Sequence, residues 1–226
     1  MTSRQNVPVI AIDGPSGSGK GTIACNVAKA LGYQLLDSGA LYRLDALSAQ
    51  TSGISLHDAQ KLAELAHDLD AGLVMDEDGE ERVWVGDDEV TTLIRTEETG
   101  AGASTVAQIS AVRQALFERQ RAFQQHPGLV ADGRDMGTHV FPEASLKIFL
   151  TASAEERARR RHKQLKDKGL DVSLAALSRD IEDRDRRDSE RSVAPLRPAK
   201  DARILDSSGQ SIEAVTQTVL DWVANL

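Results

Sequence analysis

The chain has 226 residues, of which 40% are hydrophobic and 27% are charged, and its formal net charge is −8. A chain of this length can bury a large core without needing disulfides or a bound metal for stability. The single cysteine excludes a disulfide framework. The excess of acidic residues disfavours a nucleic-acid polymer as partner. No apolar run approaches the roughly 18 residues of a membrane span, and the polar start at 1–6 holds no secretory signal, so we expect a cytoplasmic protein.

Strand-like and helix-like segments alternate along the chain. Apolar residues recur at helical spacing in Ile23, Val27 and Leu31, and Ser153 with Glu156 forms a capping box that starts a helix running to about residue 169. This alternation predicts an α/β fold with a mostly parallel sheet that helices cover on both faces. Short apolar runs predict its five strands at 7–13, 33–36, 128–131, 146–150 and 203–206.

Residues from about 55 to 95 break this rhythm. A short helix at 55–67 precedes two β-rich runs that flank Asp78-Gly79, a dipeptide typical of hairpin turns. Antiparallel strands inside an α/β pattern predict an inserted subdomain with a small antiparallel sheet. We therefore expect one unit over 1–226, with its core in 1–36 and 128–226 and a second region, including the insert, in 37–127. We separately expect this unit to act as a monomer.

A glycine-rich loop follows the first predicted strand and opens a helix. Such a loop points backbone N–H groups at phosphates, and Lys20 can reach the β- and γ-phosphates. Gly21 stands where the pattern has a Mg²⁺-binding hydroxyl, so Thr22 is our candidate metal ligand, directly or through water. The alternative, a turn without a ligand, is disfavoured by the strand–loop–helix context. The loop predicts a nucleoside triphosphate and consists of Gly14, Pro15, Ser16, Gly17, Ser18, Gly19, Lys20, Gly21 and Thr22.

The segment 37–43 follows the second predicted strand. Ligands collect at the carboxyl ends of parallel strands, and Arg43, one turn into the next helix, could point back at an acceptor phosphate. Arginine suits phosphate because its planar fork donates two hydrogen bonds at once. The alternative interpretation is a helix N-cap by Asp37 or Ser38, with Arg43 as a solvated surface residue.

The segment 132–137 follows the third predicted strand and holds two acids, an arginine and two glycines. Arg134 could hold a phosphate, and the carboxylate of Asp135 could accept a hydrogen bond from an exocyclic amine. A turn with a local ion pair is the alternative. The chain lacks the Asn-Lys-x-Asp box that a GTPase needs, and the strand before Asp132 lacks the Asp-Glu ending of an ATPase motor.

Positive charge is concentrated near the carboxyl end. Residues 155–203 carry 15 Lys and Arg against 11 Asp and Glu, whereas the remainder carries 12 against 24. Mixed-sign runs such as 180–191 are usually solvated helix faces. Arg184, Asp188 and Arg191, however, fall at i, i+4 and i+7 on one face. A mobile helix with that face could close over bound phosphates and exclude water.

Four segments, in this order and spacing, resemble bacterial cytidylate kinases, a family of nucleoside monophosphate kinases. The resemblance covers nearly the whole chain and implies a P-loop kinase core, a monophosphate-binding region over 37–127 and a helical lid over about 155–192. It also implies phosphorylation of CMP and dCMP by ATP with Mg²⁺ as cofactor, and UMP as a poorer acceptor. The segments are GPSGSGKGT at 14–22, LLDSGALYR at 35–43, ADGRDMG at 131–137 and RDRRDSERSVAPL at 184–196.

The resemblance further implies a set of site residues. Lys20 holds the donor, and Arg134 and Arg184 neutralise charge on the moving phosphoryl group. Ser104 and Arg113 carry no signal of their own in the sequence and read as helix-surface residues. The residues implied around the acceptor are Arg113, Asp135 and Arg191 near the base, Ser104, Arg184 and Asp188 near the sugar, Arg43 and Arg134 near the phosphate, and Ser38.

Other functions remain open from the residues alone. Adenylate and shikimate kinases are small-acceptor enzymes of the same fold. A non-catalytic nucleotide sensor would bind ATP without transferring its phosphate. The residues disfavour this function, because a sensor could dispense with Lys20 and several of the arginines, all of which are present here. A nucleic-acid role for the basic segment is weaker still, because no aromatic residues for base stacking are interleaved in it.

Overall fold

The computed structural model describes residues 7–75, 81–167 and 172–226. The first strand, β1 (Val9–Asp13), is buried along its whole length, as expected of an apolar run covered on both faces. Helix α1 (Lys20–Leu31) buries Ile23 and Val27, which confirms the predicted stripe. It ends at Gly32, whose φ of 66° is left-handed and favours glycine. Strand β2 (Gln34–Asp37) follows.

Residues Asp37–Phe123 form a compact unit of their own, which we call the second unit. Strands β3 and β4 pair antiparallel, which confirms the predicted hairpin, and β5 adds a short third strand that was not predicted. The predicted turn at Asp78-Gly79 lies outside the described residues. The elements of this unit are α2 (Ser38–Thr51), α3 (Ala59–Asp68), β3 (Ala71–Met75), β4 (Glu81–Val85), β5 (Asp88–Glu89), α4 (Thr91–Ile94), α5 (Glu97–Val106) and α6 (Ser110–Ala122).

The helix predicted from residue 55 begins later, at Ala59. The carboxylate of Asp58 accepts a hydrogen bond from the N–H of Lys61 at 3.2 Å, so Asp58 is the N-cap. An aspartate side chain that satisfies a first-turn N–H favours a helix start at that point over an earlier one. Helix α2 packs against α5, and α3 packs against α6. The core of this unit includes Ala40, Leu44, Leu69, Val83, Val90 and Ile94.

The remaining chain completes the core unit, which comprises the described residues of Met1–Leu36 together with Gln124–Leu226. The Ser153 hydroxyl accepts from the Glu156 N–H at 3.2 Å, which confirms one half of the predicted capping box. The other half was wrong, because the Ser153 N–H donates to the Ser208 hydroxyl and the Glu156 carboxylate pairs with Arg159 and Arg160. The predicted end near residue 169 lies outside the described residues. The elements are β6 (Leu129–Gly133), a π-helical turn (Met136–Val140), β7 (Leu146–Thr151), α7 (Ala154–Asp167), α8 (Leu174–Glu190), β8 (Arg203–Asp206) and α9 (Ile212–Ala224).

Helix α8 ends one residue before Arg191. Arg191 has an extended backbone, with φ −61° and ψ 140°, so the prediction that it shares a helical face with Arg184 and Asp188 was wrong. The chain turns here because Leu196 donates its N–H to the Asp188 carbonyl at 2.8 Å, which satisfies one of the carbonyls left open at a helix end.

All five predicted strands lie in one parallel sheet, in the order β2-β6-β1-β7-β8. The register places Asp13, the last residue of β1, beside Gly133 at the end of β6. Helices α1 and α9 pack together, and the core joins apolar residues of α1 and α9 with those of the strands. Among the described helices, none has the length and apolar character needed to cross a membrane.

Candidate active site

The phosphate loop is the turn that joins β1 to α1. A side chain at Gly14 would place its Cβ 2.1 Å from the Leu150 carbonyl oxygen, so only glycine fits between the loop and β7. Gly19 has a left-handed φ of 90° and is the N-cap of α1, with no side-chain hydrogen bond to the helix start. No capping side chain and no acidic residue of the first turn therefore competes for the N–H groups at the start of α1. Such a helix start can bind an anion.

Lys20 folds back over this loop. Its side chain is largely buried, at 8% exposure for the residue, and its ammonium donates to the Pro15 carbonyl oxygen at 3.3 Å. The positive charge thus stays at the loop, beside the helix start. This places the ammonium where a triphosphate in the loop would meet it.

Two arginines of α7 donate hydrogen bonds to carbonyl oxygens of the phosphate loop. Arg157 donates to the Ser16 carbonyl at 3.0 Å and forms a two-pronged ion pair with Asp185 of α8, at 3.1 and 2.5 Å. Arg160 donates to the Ser18 carbonyl at 3.3 Å. Because these bonds hold loop carbonyls outward, they stabilise the conformation whose N–H groups can bind phosphate.

Oxygen donors for a divalent cation lie at the first turn of α1. A Cβ at Gly21 would be 3.2 Å from the Asp132 carboxylate, so this buried acid lies against the first turn of the helix, in which Thr22 follows Gly21. Hydroxyl and carboxylate oxygens are the kind that Mg²⁺ prefers. The described residues contain no cluster of three or more His, Cys, Asp or Glu that could hold a metal alone. The residues present therefore fit Mg²⁺ that also takes oxygens from bound phosphates and water.

A buried ion-pair cluster lies around Asp188 in the core unit. The Nε of Arg134 donates to the Asp188 carboxylate at 2.9 Å. Burial alone would raise the pKa of Asp188, but the charges of Arg134, Arg184 and Arg191, with the bond from Arg134, outweigh it and lower the pKa below its usual value. The structure thus brings three of the predicted arginines together around the carboxylate of a fourth predicted residue, Asp188.

Asp135 lies beside this cluster and is also buried, at 3% exposure. One of its carboxylate oxygens is 3.9 Å from an Nη of Arg191, whose Nε donates to the Ala194 carbonyl. The loop that carries Arg134 and Asp135 is tied to Asp13. The Asp13 carboxylate accepts from the N–H groups of Met136 and Gly137, each at 2.8 Å, and burial raises its pKa to about 7 against the effect of these bonds.

In the second unit, two predicted residues lie on or beside α2. Asp37 caps the helix by accepting from the Ala40 N–H at 3.1 Å, which confirms the N-cap of the alternative interpretation. The buried Ser38 donates to the side-chain oxygen of Gln120 at 2.8 Å. Arg43 is half-buried and donates to the carbonyls of Ile94 at 2.6 Å and Thr96 at 3.2 Å. Its guanidinium is therefore held by neutral backbone oxygens, not solvated as the alternative interpretation had it.

The other two predicted residues of this unit, Ser104 and Arg113, are buried at 6% and 5% exposure. The reading of both as surface residues was wrong. Arg113 donates to the Ala107 carbonyl at 3.5 Å, and its guanidinium carbon lies 5.8 Å from the centre of the Tyr42 ring. A guanidinium at this distance from an aromatic ring is stabilised by the ring's electrons.

Comparison with known proteins accounts for this combination of a phosphate loop and buried arginines. The family model for cytidylate kinase matches residues 10–225. The chain belongs to the cytidylate kinase family. A cytidylate kinase of Pseudomonas paraeruginosa strain PA7 is 60% identical over 215 residues, covering 95% of this chain and 94% of that protein. One from Pseudomonas fluorescens strain Pf0-1 is 58% identical over 218 residues, covering 96% and 95%.

Sequence reasoning missed three residues of this cytidylate kinase family member that hold its loops in place. Arg157 and Arg160 carry no signal of their own beyond their place in the basic stretch 155–203, and Asp13 was predicted only as the end of an apolar strand. One signal could have found Arg157: residues just after β7 must lie near those just after β1 if the two strands are neighbours. That inference needs the strand order, which the sequence pattern alone leaves open.

Proposed function

We propose that the chain transfers the γ-phosphoryl group of ATP to CMP and dCMP, giving CDP or dCDP and ADP. The observation that carries the proposal is the pairing, within one unit, of a complete phosphate loop with the buried cluster of arginines around Asp188. Transfer between two phosphates needs cations for both anions, because catalysis rests on positioning and charge stabilisation. Proteins named cytidylate kinase that match the full chain support this acceptor.

The donor half of the site is the phosphate loop. The N–H groups of the loop and of the first turn of α1 bind the phosphates of ATP, and Lys20 contacts the β- and γ-phosphates. The Thr22 hydroxyl and the Asp132 carboxylate are the groups that would hold Mg²⁺, directly or through water. When bound, Mg²⁺ neutralises charge on the β- and γ-phosphates.

Arginines bind the phosphate of the acceptor in this proposal. Arg43 and Arg134 contact the CMP phosphate, and Arg184 joins Arg134 in neutralising the moving group. An oxygen of the CMP phosphate attacks the γ-phosphorus in line, and the bond from that phosphorus to the bridging oxygen of ADP breaks. The attacking oxygen is already ionised at neutral pH, so no strong general base is required.

The remaining residues select the nucleoside. Asp135 accepts a hydrogen bond from the cytosine amine, with Arg113 and Arg191 near the base. Ser104, Arg184 and Asp188 lie near the sugar, and Ser38 completes the acceptor set. Uracil presents a carbonyl where cytosine has its amine, so UMP would leave buried acceptors facing each other, which costs binding energy. The enzyme would act in the cytoplasm, where its nucleotides are found.

A panel of acceptors tests the proposal. ADP release is measured with ATP, Mg²⁺ and each of CMP, dCMP, UMP, AMP, GMP and shikimate, with a blank that contains no acceptor. We expect the highest kcat/KM for CMP and dCMP, a lower value for UMP and none above the blank for the other three. A higher kcat/KM for AMP or shikimate than for CMP would contradict the proposed acceptor. ATP binding without transfer to any acceptor would contradict the proposed activity and support a nucleotide sensor.

A further inference from the structure

The loop that carries Arg134 and Asp135 begins a π-helical turn whose first N–H groups need acceptors. N–H groups at a helix start have no partner within the helix, and a side chain just before the start usually caps them. Asp135 precedes this turn, but its side chain makes no capping hydrogen bond. The acceptor is instead Asp13, 122 positions earlier in the chain, which takes the N–H of Met136 on one oxygen and that of Gly137 on the other.

Neighbouring residues pack closely around the Asp13 carboxylate. Asp13 pairs in register with Gly133, so it faces the end of the strand that leads into the loop. A Cβ at Gly133 would come within 2.7 Å of the Met136 side chain, and one at Gly137 would lie 3.2 Å from Lys147 and 3.4 Å from Asp13 itself. Both glycines therefore permit the close approach that the two hydrogen bonds require.

Asp13 also stands directly before Gly14, the first residue of the phosphate loop. One side chain thus ties the start of the phosphate loop to the loop that bears Arg134 and Asp135. A carboxylate is well suited to this task, because each of its two oxygens accepts one N–H. The amide of asparagine has one oxygen only, and its NH₂ group would face the second N–H, donor against donor.

We propose that Asp13 is a positioning residue, which fixes Arg134 and Asp135 relative to the phosphate loop through the N–H groups of Met136 and Gly137. The inference rests on the proposed function, in which Arg134 and Asp135 contact the acceptor. Asp13 itself touches no substrate in this scheme. Its loss therefore affects acceptor binding and the choice between CMP and UMP, and it leaves the affinity for ATP nearly unchanged.

Steady-state kinetics of Asp13→Asn test this positioning role. With ATP saturating, we expect KM for CMP to rise and the kcat/KM preference for CMP over UMP to shrink, each by about 10-fold, a smaller loss than the roughly 100-fold that a full 1 Å misplacement can cause. KM for ATP should stay within about twofold. The control is Asp88→Asn, which removes an exposed carboxylate of β5 in the second unit and should leave every constant unchanged. A variant with wild-type preference would overturn the proposal.

A double-variant comparison separates positioning from general destabilisation. If Asp13 acts through Asp135, adding Asp13→Asn to Asp135→Asn should not change the CMP-to-UMP preference further. A merely structural role would lower the melting temperature and the active fraction without changing that preference, and this result would contradict the proposal. Wild-type enzyme in the same assays reports separately on the proposed function, because inactivity with CMP would appear there first.

Amide hydrogen exchange keeps the proposal testable where Asp13→Asn does not fold. In the wild-type protein, the N–H groups of Met136 and Gly137 should exchange about as slowly as that of Ile10 in β1, since Asp13 holds them in a buried site. Rapid exchange of both would overturn the proposal. In a folded Asp13→Asn variant, the two loop amides should lose protection while Ile10 keeps it.

Discussion

Two buried carboxyl groups, one in each unit, have nearly the same pKa but different surroundings. Burial raises the pKa of Asp13 in the core unit to about 7, and burial does the same for Asp45 in α2 of the second unit. Asp13 accepts two backbone hydrogen bonds, whereas neither oxygen of Asp45 has a hydrogen-bond partner among the described residues. The first carboxylate fixes a loop, and the second only destabilises the folded state when it is ionised.

The arginines of the two units differ in the partners to which they donate hydrogen bonds. In the core unit, Arg134 and Arg157 pair with carboxylates, and in the second unit Arg43 and Arg113 donate to carbonyl oxygens. A carboxylate carries a full negative charge, so it attracts a guanidinium more strongly than a neutral carbonyl oxygen does. We therefore expect the core arginines to keep their partners when nucleotides bind, and Arg43 to exchange its carbonyl partners for a phosphate.

The largest effect should come from the core unit, at Lys20. Lys20→Ala removes the ammonium from the phosphate loop, and we expect kcat for CMP phosphorylation to fall by about 1,000-fold, at the upper end of the loss for one charge-stabilising group. Lys29→Ala, on the exposed side of the same helix, is the control and should retain full activity. Circular dichroism should show both variants folded. Activity retained by Lys20→Ala would contradict its role at the donor.

The second unit should yield the next effect, on stability. Asp45 is protonated in the folded protein up to about pH 7 but ionises near pH 3.8 when unfolded, so the folded state binds more protons between these values. Its contribution to the free energy of unfolding therefore falls as pH rises from about 4 to 7. Asp45→Asn removes this dependence, and its stability relative to wild type should increase over that range by as much as about 4 kcal/mol.

Urea unfolding at several pH values between 4 and 8 measures this difference. Asp13 titrates in the same range in both proteins, so its contribution cancels in the comparison. Asp88→Asn, at an exposed position of the same unit, should show a constant difference from wild type. A constant difference for Asp45→Asn as well would contradict the contrast between the two carboxyl groups.

A smaller effect is expected when the carboxylate that holds Arg134 is neutralised. Asp188→Asn should lower kcat/KM for CMP by about 10- to 100-fold, because hydrogen bonds to charged groups contribute about 1.5–3 kcal/mol. KM for ATP should change little. Asp183→Asn, which removes an exposed carboxylate of the same helix that pairs with Arg186, provides the control. Equal kinetics of the two variants would show that the cluster around Asp188 does not position Arg134.

The smallest effect concerns base selection by Asp135. An asparagine there can turn its NH₂ group towards the uracil carbonyl, so we expect Asp135→Asn to narrow the kcat/KM preference for CMP over UMP by about 10-fold, because one unsatisfied buried polar group costs about 1–3 kcal/mol. The ratio of kcat/KM values measured with each acceptor at saturating ATP reports this change. An unaltered ratio would remove Asp135 from the base-recognition set.

Local patterns predicted much of the fold. The five strands of the sheet, the stripe of α1 and the Ser153 cap depend on neighbouring residues, so spacing alone revealed them. The buried arginines and carboxyls depend on distant partners: Asp13 caps a turn more than a hundred residues later, and Arg157 contacts Ser16. Nothing near Asp45 or Arg113 in the chain distinguishes a buried charge from a solvated one. Such residues are identified only once the strand order and helix packing are known.

A competition between acceptors tests the central claim most directly. ATP labelled with ³²P at the γ-phosphate is added with Mg²⁺ to the enzyme and an equimolar mixture of CMP, UMP and AMP, and the products are separated at short times. We predict that the label appears first and mainly in CDP, with a smaller share in UDP. Label mainly in ADP, or only in inorganic phosphate, would contradict the claim that this chain phosphorylates CMP.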